Sequence, residues 1–550
     1  MIASWLQRAA ATATLFALAC NGPGVEPPAA EPPPADAPSL LLLIVIDQLG
    51  GDHLRRFDPA FTGGLRWLLD HGVSFGEAHH AHAGTTTSPG HATIATGCHP
   101  AQHGIISNYW FDRSTGEEVY SVEDERYEGT PERMECSTLG DWLKDRYPAS
   151  RVISLSGKDR AAVLTAGRRA DGAYWYGWDG TFTSSGYYGD SEPKWLSDSN
   201  AEGFLASQFG KVWTPLPVAA EELARMGVIE SDFGPFEEVF PHAIGGLSLA
   251  PGEYFFEDLF KSPWMDEYIL RLARRAVLEE SLGQDAFPDL LGLAFSTSDS
   301  VGHAYGPESR EFFDIVLRLD RQLGEFFDWL DETVGMDKVA IALISDHGSV
   351  PVPELRGASG LPGARVGAAE IACLQSIDAS LDEEFGEADW FRPGPFFAPL
   401  PADGDLDPLT VHRRAQSLLE ACPSVEKVWL AEDLAAAAVG DPNTTGAALG
   451  DDSAVMRQKF ARSYFPGRSP DLEIQWREFF LGSQGNASSH GTPYRYDTHV
   501  PLILSRPGMS AAVETAPVWT VDVAPTLASW VGIDPPPAVE GRSLLPPSAP

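Results

Sequence analysis

Three separate apolar runs in this chain each lead to an aspartate, and no other feature restricts the fold as much. Leu40-Leu41-Leu42-Leu43-Ile44-Val45-Ile46 ends in Asp47. Asp289-Leu290-Leu291-Gly292-Leu293-Ala294-Phe295 leads to Ser298-Asp299, and Lys338-Val339-Ala340-Ile341-Ala342-Leu343-Ile344 leads to Ser345-Asp346. Runs that are apolar on both faces suit strands buried inside a parallel sheet. A charged residue closing such a run projects from the sheet's carboxyl edge, where ligands of open α/β sheets sit. A single aspartate at a strand exit is an ordinary turn or cap residue. Three of them imply convergence on one site.

Between these runs the pattern alternates. Helices are expected over Gly64–Asp70, Thr138–Arg146, Arg310–Val334, about Val411–Leu419 and about Asp522–Val531, and strands over Val73–Phe75, Arg151–Leu155 and Val500–Leu504. This order argues for one α/β domain with a mostly parallel sheet, running over 40–550. Two stretches read as insertions: about 175–254, with little long periodicity, and about 349–471, which holds the helix near Val411–Leu419.

Histidines accompany the aspartates. His303 lies four residues after Asp299, although Gly302 and Gly306-Pro307 favour a tight loop there. His347 follows Asp346 directly, so the two side chains can meet only where strand geometry breaks, which Gly348 permits. His490 lies in the polar loop from Gly485 to Thr492. A mixed oxygen and nitrogen set of this kind suits zinc, and six protein ligands are more than one tetrahedral zinc uses, so two Zn2+ ions are inferred. Two metals about 4 Å apart can stabilise the attacking and leaving oxygens of a displacement at phosphorus. Thr85-Thr86-Thr87-Ser88-Pro89-Gly90-His91 opens a short helix running on to Thr96, whose free N–H donors suit an anion, and supplies the hydroxyl such a pair could activate. His79, His80, His82, His91, His99, His103 and His499 read as loop, packing or supporting groups, with His499 the reserve ligand and Ser88 the reserve nucleophile.

Together these residues resemble the alkaline phosphatase superfamily, specifically its PafA-type alkaline phosphatases, a type I phosphodiesterase/nucleotide pyrophosphatase-like group. The resemblance is carried by Val45-Ile46-Asp47-Gln48, Thr87-Ser88-Pro89-Gly90-His91, Thr96-Gly97, His103-Gly104-Ile105 with Asn108, and Gly157-Lys158-Asp159-Arg160. It continues in Asp299-Ser300-Val301-Gly302-His303, Ser345-Asp346-His347-Gly348, His490-Gly491 and Tyr496-Asp497-Thr498-His499-Val500-Pro501. It implies a three-layer sandwich with helices on both faces of the sheet and cap insertions. It further implies one zinc held by Asp299, His303 and His490, and a second held by Asp47, Asp346, His347 and the Thr87 oxygen. Thr87 would attack phosphorus and form a phosphothreonine. Lys158, Arg160 and Asn108 would bind the charged, unsubstituted oxygens of a phosphate monoester. The Lys/Arg pair is characteristically absent from related phosphodiesterases and nucleotide pyrophosphatases, so the resemblance implies a phosphomonoesterase, with a phosphodiesterase the nearest rival and a non-catalytic surface lipoprotein a more distant one. A sulfatase is disfavoured, because the Thr87 stretch lacks the cysteine or serine followed by x-Pro-x-Arg that formylglycine maturation needs.

Charge narrows the partners. With 78 acidic against 39 basic residues the formal net charge is -39, which repels a polyanion and excludes nucleic acid as the expected partner. Small phosphate monoesters are the expected substrates, and a monomer is the default. Arg8, an apolar run from Ala9 to Ala19 and then Cys20 read as an export leader over residues 1–19. Leu18-Ala19-Cys20 resembles a bacterial lipobox, while Ala17-Leu18-Ala19 fits signal peptidase; Cys20 favours a lipid anchor, followed by a Pro/Ala-rich tether to Ser39. The expected location is the periplasm or the outer membrane. Cys98, Cys136, Cys373 and Cys422 show no metal-binding spacing and are read as one or two bridges or as buried thiols.

Overall fold

Every residue of Leu40–Ile46 is at most 1% exposed, as a strand covered on both faces requires. The computed structural model describes residues 32–229, 239–246, 248–388, 390, 406–437 and 452–544. The leader, Cys20 and most of the tether lie outside the described residues. From Pro33 onward the chain clusters as one compact unit.

The central sheet has ten strands. In chain order they are β1 (Leu40–Ile46), β2 (Val73–His79), β3 (Val152–Ser156), β4 (Gly172–Tyr176) and β5 (Phe182–Thr183). Then follow β6 (Asp289–Phe295), β7 (Val339–Ile344), β8 (His499–Ser505), β9 (Ala512–Glu514) and β10 (Val518–Trp519). Their spatial order is β9-β2-β8-β7-β1-β6-β3-β4-β5, with β10 pairing β2 off this path. β8 runs antiparallel to both β7 and β2, and β5 runs antiparallel to β4. All other pairs are parallel, so the mostly parallel sheet predicted from the sequence holds. The parallel strands β7, β1, β6 and β3 are neighbours, and at or just beyond their carboxyl ends stand Asp346, Asp47, Asp299 and Lys158.

Helices cover both faces. They are α1 (Gly64–His71), α2 (Thr87–Thr96), α3 (Leu139–Arg146), α4 (Asp159–Ala166), α5 (Pro263–Glu279), α6 (Thr297–Tyr305), α7 (Arg310–Thr333) and α8 (Val523–Trp530). Alternate residues of β1 divide between two cores, as the period of a strand dictates. Leu40, Leu42, Ile44 and Ile46 pack with α1, α5 and α7 through residues such as Leu65, Ile269 and Phe312. Leu41, Leu43 and Val45 pack with α2, α3 and α8 through Ile94, Trp142 and Leu527. Local signals set the helix starts. The Thr138 hydroxyl accepts from the Asp141 N–H at 3.2 Å while Asp141 accepts from the Thr138 N–H at 2.9 Å, a reciprocal cap that begins α3.

In the stretch 175–254 the described residues form short elements, and Trp195, Trp213 and Leu223 join the core around α5 and α7. The described part of 349–471 has its own apolar cluster, including Ile377, Leu381, Val411 and Leu419. A two-stranded antiparallel sheet of Val425–Leu430 and Leu472–Trp476 adjoins it, so this small body runs past residue 471. Cys373 and Cys422 are bonded there, whereas Cys98 and Cys136 are free thiols. Among the described residues no helix is long and apolar enough to cross a membrane.

Candidate active site

Thr87 is the first residue of α2, preceded by Thr86 in extended conformation. None of the hydroxyls at this helix start makes the cap. Instead the Asn108 side-chain oxygen accepts from the Ser88 N–H at 2.9 Å, which orients the Asn108 NH2 group away from the helix. The Ser88 hydroxyl is bonded to the Ser121 hydroxyl at 2.8 Å. The Thr87 hydroxyl lies 3.3 Å from the Lys158 ammonium. The Ser88 amide is thus committed to Asn108, not left as a free donor in the helix's first turn.

Gly90 explains how α2 reaches the sheet edge. A Cβ at this position would overlap the Asp346 carbonyl and lie 2.8 Å from the Asp346 Cβ, so only glycine allows the approach. Gly302 and Gly348 follow the same logic. A Cβ on Gly302 would overlap the Gln48 side chain, and one on Gly348 would overlap the Tyr496 carbonyl. The tight loop expected between Asp299 and His303 is instead helix α6, with Gly302 inside it to admit Gln48. The strand β7 ends at Ile344, which frees Asp346 and His347 from alternation; Gly348 serves close packing there.

Lys158 caps α4 and extends its ammonium to 2.5 Å from Asp47 Oδ2 and 2.6 Å from Asp299 Oδ2. Around this bridge the histidines gather. His303 Nε2 and His490 Nε2 lie 3.3 and 3.5 Å from Asp299 Oδ1. His347 Nε2 lies 3.5 Å from both Asp47 Oδ1 and Asp346 Oδ2, and the His347 and His490 rings stack with centroids 3.6 Å apart. Each imidazole is held by its other nitrogen. Nδ1 of His303 donates to the Ser488 carbonyl at 2.9 Å, that of His347 to the Gly348 carbonyl at 3.0 Å, and that of His490 to the Thr85 carbonyl at 2.9 Å. This fixes the tautomer with the Nε2 lone pair facing the carboxylates, the usual support for a metal-ligating histidine.

The donor set fits divalent metal. Asp299, His303 and His490 offer ligand atoms within 4.8 Å of one another, as do Asp47, Asp299 and His347, and Asp47, His91 and Asp346. Asp47 Oδ1, Asp346 Oδ2 and His347 Nε2 are buried without a hydrogen-bond partner, which is costly for a carboxylate unless a cation faces it. Burial raises the Asp47 carboxyl to about 6, the Asp299 charge adds to the rise, and Lys158 opposes it. Burial and then the Asp47 charge push Asp346 well up. Burial also acts to raise Asp299, but Lys158 and the His303 and His490 rings outweigh it and hold that carboxyl well down. His490 is lowered to about 3, chiefly by burial. His347 is also pushed well down, chiefly by burial. Burial acts to lower His303 as well, but the Asp299 charge and hydrogen bond outweigh it and raise that ring. Metal binding takes each imidazole in its neutral form.

Arg160, in the first turn of α4, binds the Tyr120 hydroxyl through NH1 at 3.3 Å, and its buried Nε has no partner. Tyr120 is in turn fixed by its hydroxyl donating to Asp159 at 2.6 Å. His499, the reserve ligand, faces elsewhere: its Nε2 donates to the Gly76 carbonyl at 3.0 Å and its ring stacks on His79.

The sequence profile of the type I phosphodiesterase / nucleotide pyrophosphatase family matches residues 41–360, more than half of the chain. The protein belongs to that family. Alkaline phosphatase PhoK of Sphingomonas sp is 30% identical, covering 92% of this chain and 91% of its own. Alkaline phosphatase PhoV of Synechococcus elongatus is 30% identical, covering 92% of each chain. The crystal structure of the alkaline phosphatase PafA superposes with a TM-score of 0.80 at 26% identity, covering 92% of this chain and 98% of that one. The resemblance to PafA-type alkaline phosphatases stated from the motifs is borne out, and with it the α/β fold.

In this family member Gln48 and Asp497 had no role assigned from the sequence, and His91, read there as a loop, packing or supporting group, stands beside the ligands. Gln48 has φ 65°, and from that bend its N–H donates to Asp346 Oδ1 at 3.2 Å and its side-chain amide to Asp299 Oδ1 at 3.0 Å. Asp497 accepts from the Thr492 N–H at 2.8 Å and its hydroxyl at 2.7 Å, steadying the loop that carries His490. His91 Nε2 stands 3.6 Å from Asp346 Oδ2, while its Nδ1 meets the Thr165 hydroxyl at 3.1 Å. The signal for Gln48 and Asp497 was present only as motif neighbours of Asp47 and His499.

Proposed function

We propose that this protein is a zinc-dependent phosphate monoester hydrolase that works through a phosphothreonine at Thr87 and releases inorganic phosphate. The observation that carries this reading is the Lys158 ammonium, 3.3 Å from the Thr87 hydroxyl and paired with both Asp47 and Asp299. It puts a cation where the extra charged oxygens of a monoester would lie beside a nucleophile. The alkaline phosphatases among its relatives support the same activity.

Asp299, His303 and His490 would hold one zinc, and Asp47, Asp346 and His347 with the Thr87 oxygen the other. Bound ions supply charge for the attacking and leaving oxygens and lower the pKa of a coordinated hydroxyl. The chain's own groups do the rest. Thr87 forms the P–O bond as the ester oxygen leaves, and water later displaces Thr87 and returns phosphate. Lys158, the unpaired Nε of Arg160 and the NH2 of Asn108 bind the non-bridging oxygens. Ser88 stays out of the reaction because its hydroxyl is engaged with Ser121. Export and a lipid anchor at Cys20 accompany this reading, supported by the Cys373–Cys422 bond, which suits an oxidising compartment. We read 40–550 as one catalytic domain with two insertions.

Zinc-loaded protein mixed with a monoester and quenched in acid is expected to yield a phosphopeptide with the phosphate on Thr87, and Thr87→Ala to yield none. Phosphate on Ser88, or turnover retained in Thr87→Ala, would overturn the assignment of the nucleophile.

A further inference from the structure

Arg160 stands in the first turn of α4, which Lys158 caps, but the group that aims its guanidinium comes from a different part of the chain. Two short strands, Tyr109–Phe111 and Glu118–Tyr120, pair antiparallel with Tyr109 opposite Tyr120. The rings of these two tyrosines stack with centroids 4.7 Å apart. Asn108 directly precedes the hairpin, and its carbonyl accepts from the Ser121 N–H at 3.0 Å, which closes the hairpin's two ends on each other. Asn108 thus stands where the hairpin begins and Tyr120 where it ends.

Tyr120 reaches across to α4. Its hydroxyl donates to Asp159 Oδ1 at 2.6 Å, and the same carboxylate oxygen accepts from the Arg160 N–H at 2.7 Å. With its single proton committed to Asp159, the phenol can only accept from Arg160, whose NH1 donates to it at 3.3 Å. Burial raises the Tyr120 hydroxyl above the usual phenol range, so this proton stays in place at neutral and moderately alkaline pH. A guanidinium anchored at one nitrogen keeps its plane. The edge that carries the buried Nε, which has no hydrogen-bond partner among the described residues, is then left for a ligand.

We propose that Tyr120 is the positioning residue through which Arg160 reads a phosphate monoester. The inference rests on the monoesterase reading above. Tyr120 acts only through Arg160: without the phenol oxygen the long arginine side chain has rotamer freedom to lose on binding, which weakens its hold on an oxygen that a diester masks with carbon. Both donors of the monoester-reading set outside Lys158 then depend on one hairpin, Asn108 by the chain itself and Arg160 by the Tyr120 hydroxyl.

The test is Tyr120→Phe in the zinc-loaded protein, which keeps a ring to stack on Tyr109 and deletes only the hydroxyl. The variant is expected to lower the ratio of kcat/KM for a monoester to that for a diester sharing its leaving group by about tenfold. In an Arg160→Ala background the same substitution is expected to move that ratio by less than about twofold, because the group it positions is gone. A merely structural role would cost the same in both backgrounds. Equal losses with and without Arg160, or a ratio unmoved by Tyr120→Phe in the otherwise unaltered protein, would overturn the proposal. If no monoester turns over, the monoesterase reading fails, and calorimetric titration with inorganic phosphate decides this inference separately. Binding weakened by Tyr120→Phe only while Arg160 is present would support it. No binding, binding unchanged in the variant, or the same weakening in both backgrounds would overturn it.

Discussion

The Asn108 amide can offer its NH2 to a ligand because its oxygen is already committed to the Ser88 N–H at 2.9 Å. Arg160 is prepared in the same way, with NH1 on Tyr120 and its buried Nε unmatched. A monoester has charged oxygens for both groups, whereas a diester has one oxygen masked by carbon. Arg160→Ala is therefore expected to lower kcat/KM for a monoester by about a hundredfold and that for a matched diester much less. Equal losses on both substrates would contradict a role for Arg160 in reading the monoester. The aspartates and His303 were legible in the sequence because strand exits and a four-residue spacing carry local information. Gln48 and Asp497 were not, since their roles lie in contacts with Asp299, Asp346 and Thr492 that only the fold brings about.

Among the elements, helix α2, which carries Thr87, is positioned by a missing side chain. Gly90 lets the helix touch the Asp346 backbone, so Thr87 and Asp346 are placed by one packing contact. Gly90→Ala is expected to destabilise the protein by about 1–3 kcal/mol, as overpacking does, and to reduce bound zinc because Asp346 is displaced. A thermal melt together with metal analysis checks this; unchanged melting and full metal content would mean the contact does not position the site. Strand and helix spans were readable from apolar runs and caps, as the Thr138 and Asp141 pair at α3 illustrates. Direction was not. The run at β8 looks like any buried strand, and its antiparallel course depends on where the long preceding segment delivers the chain. Nor was the helical state of α6 readable, because Gly302 resembles a loop residue until Gln48 is seen against it.

For the whole molecule, strand order does what no single motif can. Placing β7, β1, β6 and β3 side by side turns residues up to about three hundred positions apart into one site, and the sequence could suggest that convergence but not its neighbours. On the proposed function this site, with Lys158 and Arg160 in it, serves phosphate monoesters. The most direct measurement is kcat/KM of the zinc-loaded protein for a monoester and a diester sharing one leaving group. The monoester is expected to turn over faster by orders of magnitude; a diester turned over as fast or faster would overturn the monoesterase reading.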